Sequence, residues 1–314
     1  MSATLATSDL FALAAAIPVA AMGGAIFLEG VLGVAGWLRV PRLLVATTLA
    51  AFATSSPELA VSSLAALAGK PGIGLGDALG SNVVNVGLIL GAALLFGPLT
   101  ASIGAHRRDF LMALMVPVLT LALAWDGNVS RADGVLLLSL LAICLTLTAR
   151  AAIAHRRESL ADTGTPVHPA RAWLLLLGGF ACLLLAGRLF VTGAGGIALT
   201  LGVHPYVIGA TVVAIGTSLP ELVTVTISRL HGHDDVGLGT LLGSNLFNGL
   251  GIVGVAATIH PIRAPTAEVA TALAFGVVTV LLMLPRAGIL SRRRGAVLLA
   301  AYVAFVAMTA VSAR

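Results

Sequence analysis

Charge is what this chain has least of. Only 10% of its 314 residues are Asp, Glu, Lys or Arg, against about 25% in a soluble domain. Lysine is nearly absent: Lys70 stands alone beside seventeen arginines. Cysteine occurs twice, and Cys144 and Cys182 both fall inside apolar blocks, which excludes a disulfide scaffold or a thiolate metal site and leaves them as small packing side chains. Strict alternation of apolar and polar residues is also missing, as in the run AWLLLLGGFACLLLAG at 172–187, so a membrane β-barrel is excluded. The net charge of +5 is not a nucleic-acid signal, because the basic residues sit between the apolar blocks. No basic stretch precedes the first block, and no cleaved signal peptide is expected.

What is present is hydrophobicity: 58% of the residues are hydrophobic and the mean hydropathy is +1.05. The fold class expected is an all-α integral membrane protein, with the lipid bilayer as its surroundings. A spanning helix takes about 20 apolar residues. Ten spans are read near 10–36, 41–68, 73–97, 109–126, 133–151, 172–199, 204–230, 236–259, 267–285 and 294–312. The one long polar stretch, 155–171, is read as a linker between a half at 1–154 and a half at 172–314. Thirteen of the basic residues, Arg156, Arg157 and Arg171 among them, fall on the linker side and four on the other, with Arg188 inside a span. By the positive-inside rule the linker side is cytoplasmic and both termini lie outside. Five spans per half is an odd number, so the second half enters from the opposite face and the two five-helix repeats are inverted. That arrangement belongs to secondary transporters, whose sites lie near the midplane where the repeats meet.

The halves are copies. Residues 46–91 align without a gap on 209–254 at an offset of 163. Thr54, Ser55, Pro57 and Glu58 recur as Thr217, Ser218, Pro220 and Glu221, and Gly80, Ser81, Asn82 and Asn85 recur as Gly243, Ser244, Asn245 and Asn248. Phe27, Gly30 and Pro98 recur as Phe190, Gly193 and Pro261.

A carboxylate deep in an apolar span is costly and functional by default, and here there are two in duplicated surroundings, Glu58 and Glu221. Pro57 and Pro220 precede them. Proline removes an N–H and crowds the carbonyl four residues back, so the carbonyls near Ala53 and Gly216 are expected to be freed, with Thr54, Ser55, Thr217 and Ser218 adding hydroxyls. Broken backbone at this depth has to line a cavity or lie buried in protein. Ser81 and Asn85 are four apart and share a helix face. Asn82 is one step round and is read as a bond between helices, and Gly80 and Gly243 allow close helix approach. The whole set is oxygen: carboxylates, amides, hydroxyls and carbonyls. Zinc prefers nitrogen and sulfur, whereas Ca²⁺ takes six to eight oxygens, and Mg²⁺ gives up its water reluctantly.

The pairs ATSSPE…GSNVVN and GTSLPE…GSNLFN resemble the two α-repeats of the cation/calcium exchanger superfamily, above all its sodium/calcium exchanger branch in compact prokaryotic form. The resemblance implies ten helices, alternating access, and Ca²⁺ held by Glu58 and Glu221 with Thr54 and Thr217 beside them. It also implies Na⁺ sites at Ser55, Ser81, Ser218 and Ser244, with Asn85 and Asn248 near the centre. Ca²⁺ and Na⁺ are then transported ions; no cofactor and no enzymatic activity are expected. Ala53 departs from the family's usual glycine but stays small. Asn248 replaces an Asp that some members carry, potassium-dependent or prokaryotic ones, so K⁺ co-transport is not expected.

Two rivals stay open from the sequence. Protons could drive exchange in place of Na⁺, since two glutamates can accept protons as Ca²⁺ leaves. A cation channel is the rival of another class, though channels usually build a pore from symmetric subunits. The pattern Gly74-Leu75-Gly76-Asp77 matches that of intramembrane aspartyl proteases, but no partner Asp is evident and Thr240 stands at the repeat position. GIGLGDALG lacks the lysine of a phosphate loop. His231, His233, Asp234 and Asp235 are read as a solvated turn, and Glu29 and Arg188 as non-equivalent charges that pair or snorkel. Arginine-rich, alanine-rich composition points to a GC-rich bacterium and its inner membrane.

Overall fold

The computed structural model describes residues 7–100, 103–158, 168–201, 214–263, 266–284 and 288–312. Ten helical segments run through them. They are α1 (Thr7–Leu38), α2 (42–67), α3 (71–95), α4 (Ile103–Leu123), α5 (Arg131–Glu158), α6 (Pro169–Thr200), α7 (214–230), α8 (Asp234–Ile259), α9 (Thr266–Met283) and α10 (Arg292–Ser312). Each matches an expected span. The first part of the seventh span, 204–213, lies outside the described residues. Several helices run a few residues past the expected bounds, α4 and α5 furthest: α4 starts at Ile103, and α5 continues to Glu158. The linker therefore loses 155–158 and 169–171 to helices, and 159–167 lies outside the described residues. Charged residues at the membrane surface do not stop a helix.

The segments form two layers. About 78% of the apolar window is buried in α3 and in α8, against 28% in α1 and α6 and 17% in α5. The helices bearing the GSN motifs are thus enclosed by protein, while most of α1, α5 and α6 is not. Helices α1 and α6 pack antiparallel with their backbones in contact. A methyl group at Gly30 would overlap the backbone of Leu176, and one at Gly179 that of Phe27. The small Cys182 packs on Gly23, and neither cysteine forms a disulfide. Replacing Gly179 by Leu is expected to separate these helices and cost roughly 1–3 kcal/mol or more, as overpacking does, seen as a lower melting temperature in detergent; an unchanged melting temperature would contradict the packing.

Ten single crossings put the ends after α1, α3, α5, α7 and α9 on the linker face. Short ribbons support that count. Leu99–Thr100, after α3, pairs antiparallel with Ile289–Leu290, between α9 and α10. Asn128–Val129, between α4 and α5, pairs with Ile262–Arg263, after α8. Both segments of each ribbon have to lie on one face, and the parity agrees. Because 99 + 163 = 262, the inverted symmetry exchanges the two ribbons, and each ribbon ties one half to the other on its own face.

The expected solvated turn at His231–Asp235 is instead a tertiary clamp on the linker face. Arg229 bonds both carboxylate oxygens of Asp234 at 2.9 and 3.1 Å and donates to the Pro98 carbonyl at 2.8 Å. Arg42 bonds His233 at 2.9 Å. Asp234 begins α8, and the short turn after α7 brings it back onto Arg229, so the charges find each other before they find water. Glu29 pairs with Arg171 at 2.9 Å in an exposed setting, where such a pair contributes little.

Candidate ion-binding site

The site grows from two helix breaks. In α2 the chain stops at Thr54 and restarts at Ser56, bending by 45°. In α7 it stops at Thr217 and restarts at Leu219. The residue at each break has nearly the same backbone: Ser55 at φ −85°, ψ 5° and Ser218 at φ −84°, ψ 10°. Pro57 and Pro220 then occupy the first turn of the new helix, where a missing N–H costs nothing. The Ala53 carbonyl is not left free as expected: backbone N–H groups at the cap bond the carbonyls of Ala51 and Ala53, so the chain tightens at the break.

Glu58 and Glu221 lie in the first turns of the restarted helices. There the unpaired N–H groups and the dipole favour negative charge. This is how two carboxylates stand in an apolar interior. Ser55 and Ser218 are the N-caps, yet neither hydroxyl caps its own helix. Each crosses to the other half. Ser218 Oγ donates to Glu58 Oε1 at 3.2 Å, and Ser55 Oγ donates to Glu221 Oε1 at 3.2 Å. The exchange is symmetric, and it joins the repeats at their carboxylates.

The GSN segments close on this centre with the symmetry broken. Ser244 Oγ donates to Glu221 Oε1 at 3.1 Å and lies 3.3 Å from Thr54 Oγ1, whereas Ser81 Oγ has no partner. Asn82 and Asn245 bond each other's backbone carbonyls at 3.3 and 3.4 Å, so the interhelical role read for Asn82 is the observed one. Asn85 Nδ2 donates to Asn245 Oδ1 at 3.0 Å. That bridging role of Asn245 was missed; its recurrence beside Ser244 was the available signal. Residues 84–90 and 247–252 wind as wide π-turns, and 84 + 163 = 247. Such turns are frequent at functional sites, and Asn85 and Asn248 sit in them.

Nine of the ten expected residues are buried: Thr54, Ser55, Glu58, Ser81, Asn85, Ser218, Glu221, Ser244 and Asn248 are each at most 3% exposed. Thr217 is the exception. It is half-buried and, with Pro57, Pro220, Gly216 and Arg188, lines a crevice of about 320 Å³ against α6. Burial makes one further feature decisive. Glu58 Oε2, Glu221 Oε2, Ser81 Oγ, Asn85 Oδ1 and Asn248 Oδ1 are all enclosed and have no hydrogen-bond partner. Buried acceptors are nearly always satisfied, and these oxygens suit a hard cation. Among the described residues, no three of His, Cys, Asp or Glu converge as a conventional metal site.

The profile of the sodium/calcium exchanger protein family matches residues 8–150 and 171–311. The chain belongs to the sodium/calcium exchanger family. The break in the match, at 151–170, falls on the linker. The chain is 36% identical over 236 residues to the inner membrane protein YrbG of Escherichia coli (strain K12), covering 71% of each. It is 27% identical to the sodium/calcium exchanger MaX1 of Methanosarcina acetivorans, covering 90% of this chain and 93% of that one. A solved structure of the sodium-calcium exchanger NCX_Mj, soaked with 10 mM Na⁺ and 10 mM Sr²⁺, superposes with a TM-score of 0.83 at 28% identity, covering 96% of this chain and 98% of the other. Family membership makes this exchanger a membrane transporter, with ten helices in two inverted five-helix repeats.

Proposed function

We propose that this family member exchanges Na⁺ for Ca²⁺ by alternating access, with Ca²⁺ at the paired carboxylates and Na⁺ at the flanking hydroxyls. One observation carries the reading: the crossed serine–glutamate bonds satisfy one oxygen of each carboxylate and leave Oε2 of Glu58 and of Glu221 buried and unpartnered. Two carboxylates neutralise one dication. When Ca²⁺ leaves, their charge has to be met again, and the unpartnered oxygens of Ser81, Asn85 and Asn248 extend the cage to monovalent ions. Ligand breaks shared by both halves favour exchange over a channel, because the same site then serves either face.

The protein sits in the bacterial inner membrane in this reading, with the arginine-rich linker face in the cytoplasm and both termini outside. The test is ⁴⁵Ca²⁺ uptake by proteoliposomes loaded with Na⁺ and diluted into Na⁺-free medium. Uptake is expected to follow the Na⁺ gradient and to collapse when the gradient is dissipated. Asn248 carries no charge for a further monovalent ion, so the same uptake is expected at full rate in K⁺-free medium; a strict K⁺ requirement would contradict that role.

A further inference from the structure

Nine buried side-chain oxygens lack a hydrogen-bond partner among the described residues, and four of them lie outside the five just described. Asn82 Oδ1 belongs to a residue already bonded across the helices through its amide nitrogen; the other three are Asp77 Oδ2, Thr224 Oγ1 and Ser228 Oγ. Their positions are ordered. On α3, Asp77 precedes Ser81 and Asn85 at intervals of four, so the three share one face. Since α3 runs toward the linker face, Asp77 lies on the opposite side of Ser81. On α7, Glu221, Thr224 and Ser228 are three and four apart and again share one face. Since α7 also runs toward the linker face, Thr224 and Ser228 lie on the linker side of Glu221. The three oxygens thus continue the site in two opposite directions.

Local structure does not account for them. Serine and threonine in an apolar helix ordinarily bond the carbonyl four residues back. Thr120, Thr226, Thr240 and Thr258 do so here at 2.7–2.9 Å. Thr224 and Ser228, both wholly buried, do not. The repeat does not account for them either. Thr240 stands where Asp77 would recur and is internally bonded, and the first-half counterparts of Thr224 and Ser228 are Val61 and Ala65. Around Asp77, Ser62 lies beside the carboxylate and Glu58 is within reach of its charge; Ser62 Oγ itself donates to the Gly74 carbonyl at 3.1 Å. The two arms also differ in exposure. Asp77 is partly exposed, while Thr224 and Ser228 are wholly buried, and Ser228 is followed in the chain by Arg229, which bonds Asp234 and Pro98.

We propose that Asp77 and the Thr224–Ser228 pair are transit sites for the partly dehydrated cation, Asp77 on the access path from the face opposite the linker and Thr224–Ser228 on the path to the linker face. The proposal rests on the antiporter reading. An ion leaving water toward the carboxylates meets a charged oxygen first on one side. On the other side it leaves past hydroxyls, which bind weakly enough to release it, once the clamp between α7, α8 and the first half opens.

The test is sided cysteine labelling. Asp77→Cys, Thr224→Cys, Ser228→Cys and, as control, Thr226→Cys are placed in a background with Cys144 and Cys182 replaced by alanine. A cationic, membrane-impermeant methanethiosulfonate is applied to each face of oriented vesicles in turn, and modification is read as a mass shift. The cysteine at 77 is expected to react only from the face opposite the linker, and those at 224 and 228 only from the linker face. Saturating Ca²⁺ should slow all three about tenfold or more, as occupancy of nine sites in ten leaves one in ten free. The control at 226 should react from neither face. Reaction of 224 or 228 from the wrong face, no reaction of either during turnover, or rates indifferent to Ca²⁺ would overturn the proposal. Because labelling is read as a mass shift and not as ion flux, failure of the exchange reading shows separately in the ⁴⁵Ca²⁺ assay. Should Asp77→Cys not fold, Asp77→Asn replaces it: half-saturating Ca²⁺ on that face is expected to rise about three- to tenfold from the lost attraction, and an unchanged value overturns the Asp77 arm.

Discussion

Glu58→Gln and Glu221→Gln are each expected to abolish Na⁺-driven ⁴⁵Ca²⁺ uptake, by about 100-fold or more, in protein that still folds. The reasoning starts from the oxygen each variant keeps. The amide oxygen of a glutamine at 58 can still accept from Ser218, and one at 221 from Ser55 and Ser244, so the bonds between the repeats survive. What changes is the other oxygen. Oε2 is buried and unpartnered in both residues, and it becomes an NH₂ group that carries no charge and cannot ligate a cation. The Ca²⁺ site falls from two negative charges to one in a low-dielectric interior, where Coulomb terms are large. A neutral side chain is also cheaper to bury, so the melting temperature in detergent without Ca²⁺ is expected to stay level or rise. The two measurements together separate a lost ligand from a lost fold. Wild-type uptake by either folded variant would remove the carboxylate pair from the ion site.

The second large effect names the driving ion. Ser81→Ala removes a hydroxyl whose oxygen has no partner in the protein, so nothing internal is broken. If Na⁺ is the counter-ion, one lost ligand of a desolvated cation costs on the order of 1–3 kcal/mol, a rise of roughly ten- to a hundredfold in half-saturating Na⁺, with a smaller change for Ca²⁺. Ser244→Ala differs, because this hydroxyl also donates to Glu221 and contacts Thr54. It should weaken both ions. The repeat makes the two serines equivalent, so a measured difference between them reports the tertiary arrangement directly. Wild type and both variants are to be compared for ⁴⁵Ca²⁺ uptake under an imposed Na⁺ gradient, then under a pH gradient without Na⁺. Uptake that follows the pH gradient and ignores Na⁺ and both serine changes would replace Na⁺ by H⁺ and leave the Ca²⁺ site standing.

Sequence alone determined the class, the duplication and the oxygen-bearing residues that the fold buries together. Scarce charge and long apolar runs exclude water as the main surroundings. The constant offset of 163 makes two halves, and five spans in each make them inverted. Prolines before Glu58 and Glu221 predict broken helices, and the breaks stand at Ser55 and Ser218. These features are legible because they depend on composition, spacing and local backbone sterics, which act within a few residues of chain. The tertiary structure decided every relation between the halves. A serine at an N-cap ordinarily bonds its own helix; docking sends Ser55 to Glu221 and Ser218 to Glu58. The same docking pairs Ser244 and leaves Ser81 unpaired, gives Asn245 a bridging bond that an aligned Asn82 does not mirror, and turns Arg229 and Asp234 from a surface turn into a clamp against Pro98. Asp77, set aside by sequence for want of a partner, gains meaning only beside Ser62 and Glu58. The physical reason is range. A hydrogen bond is decided within about 3 Å, and which groups come that close across 131 to 166 residues of chain follows from how two similar but unequal surfaces pack, a property that neither half carries in its own sequence.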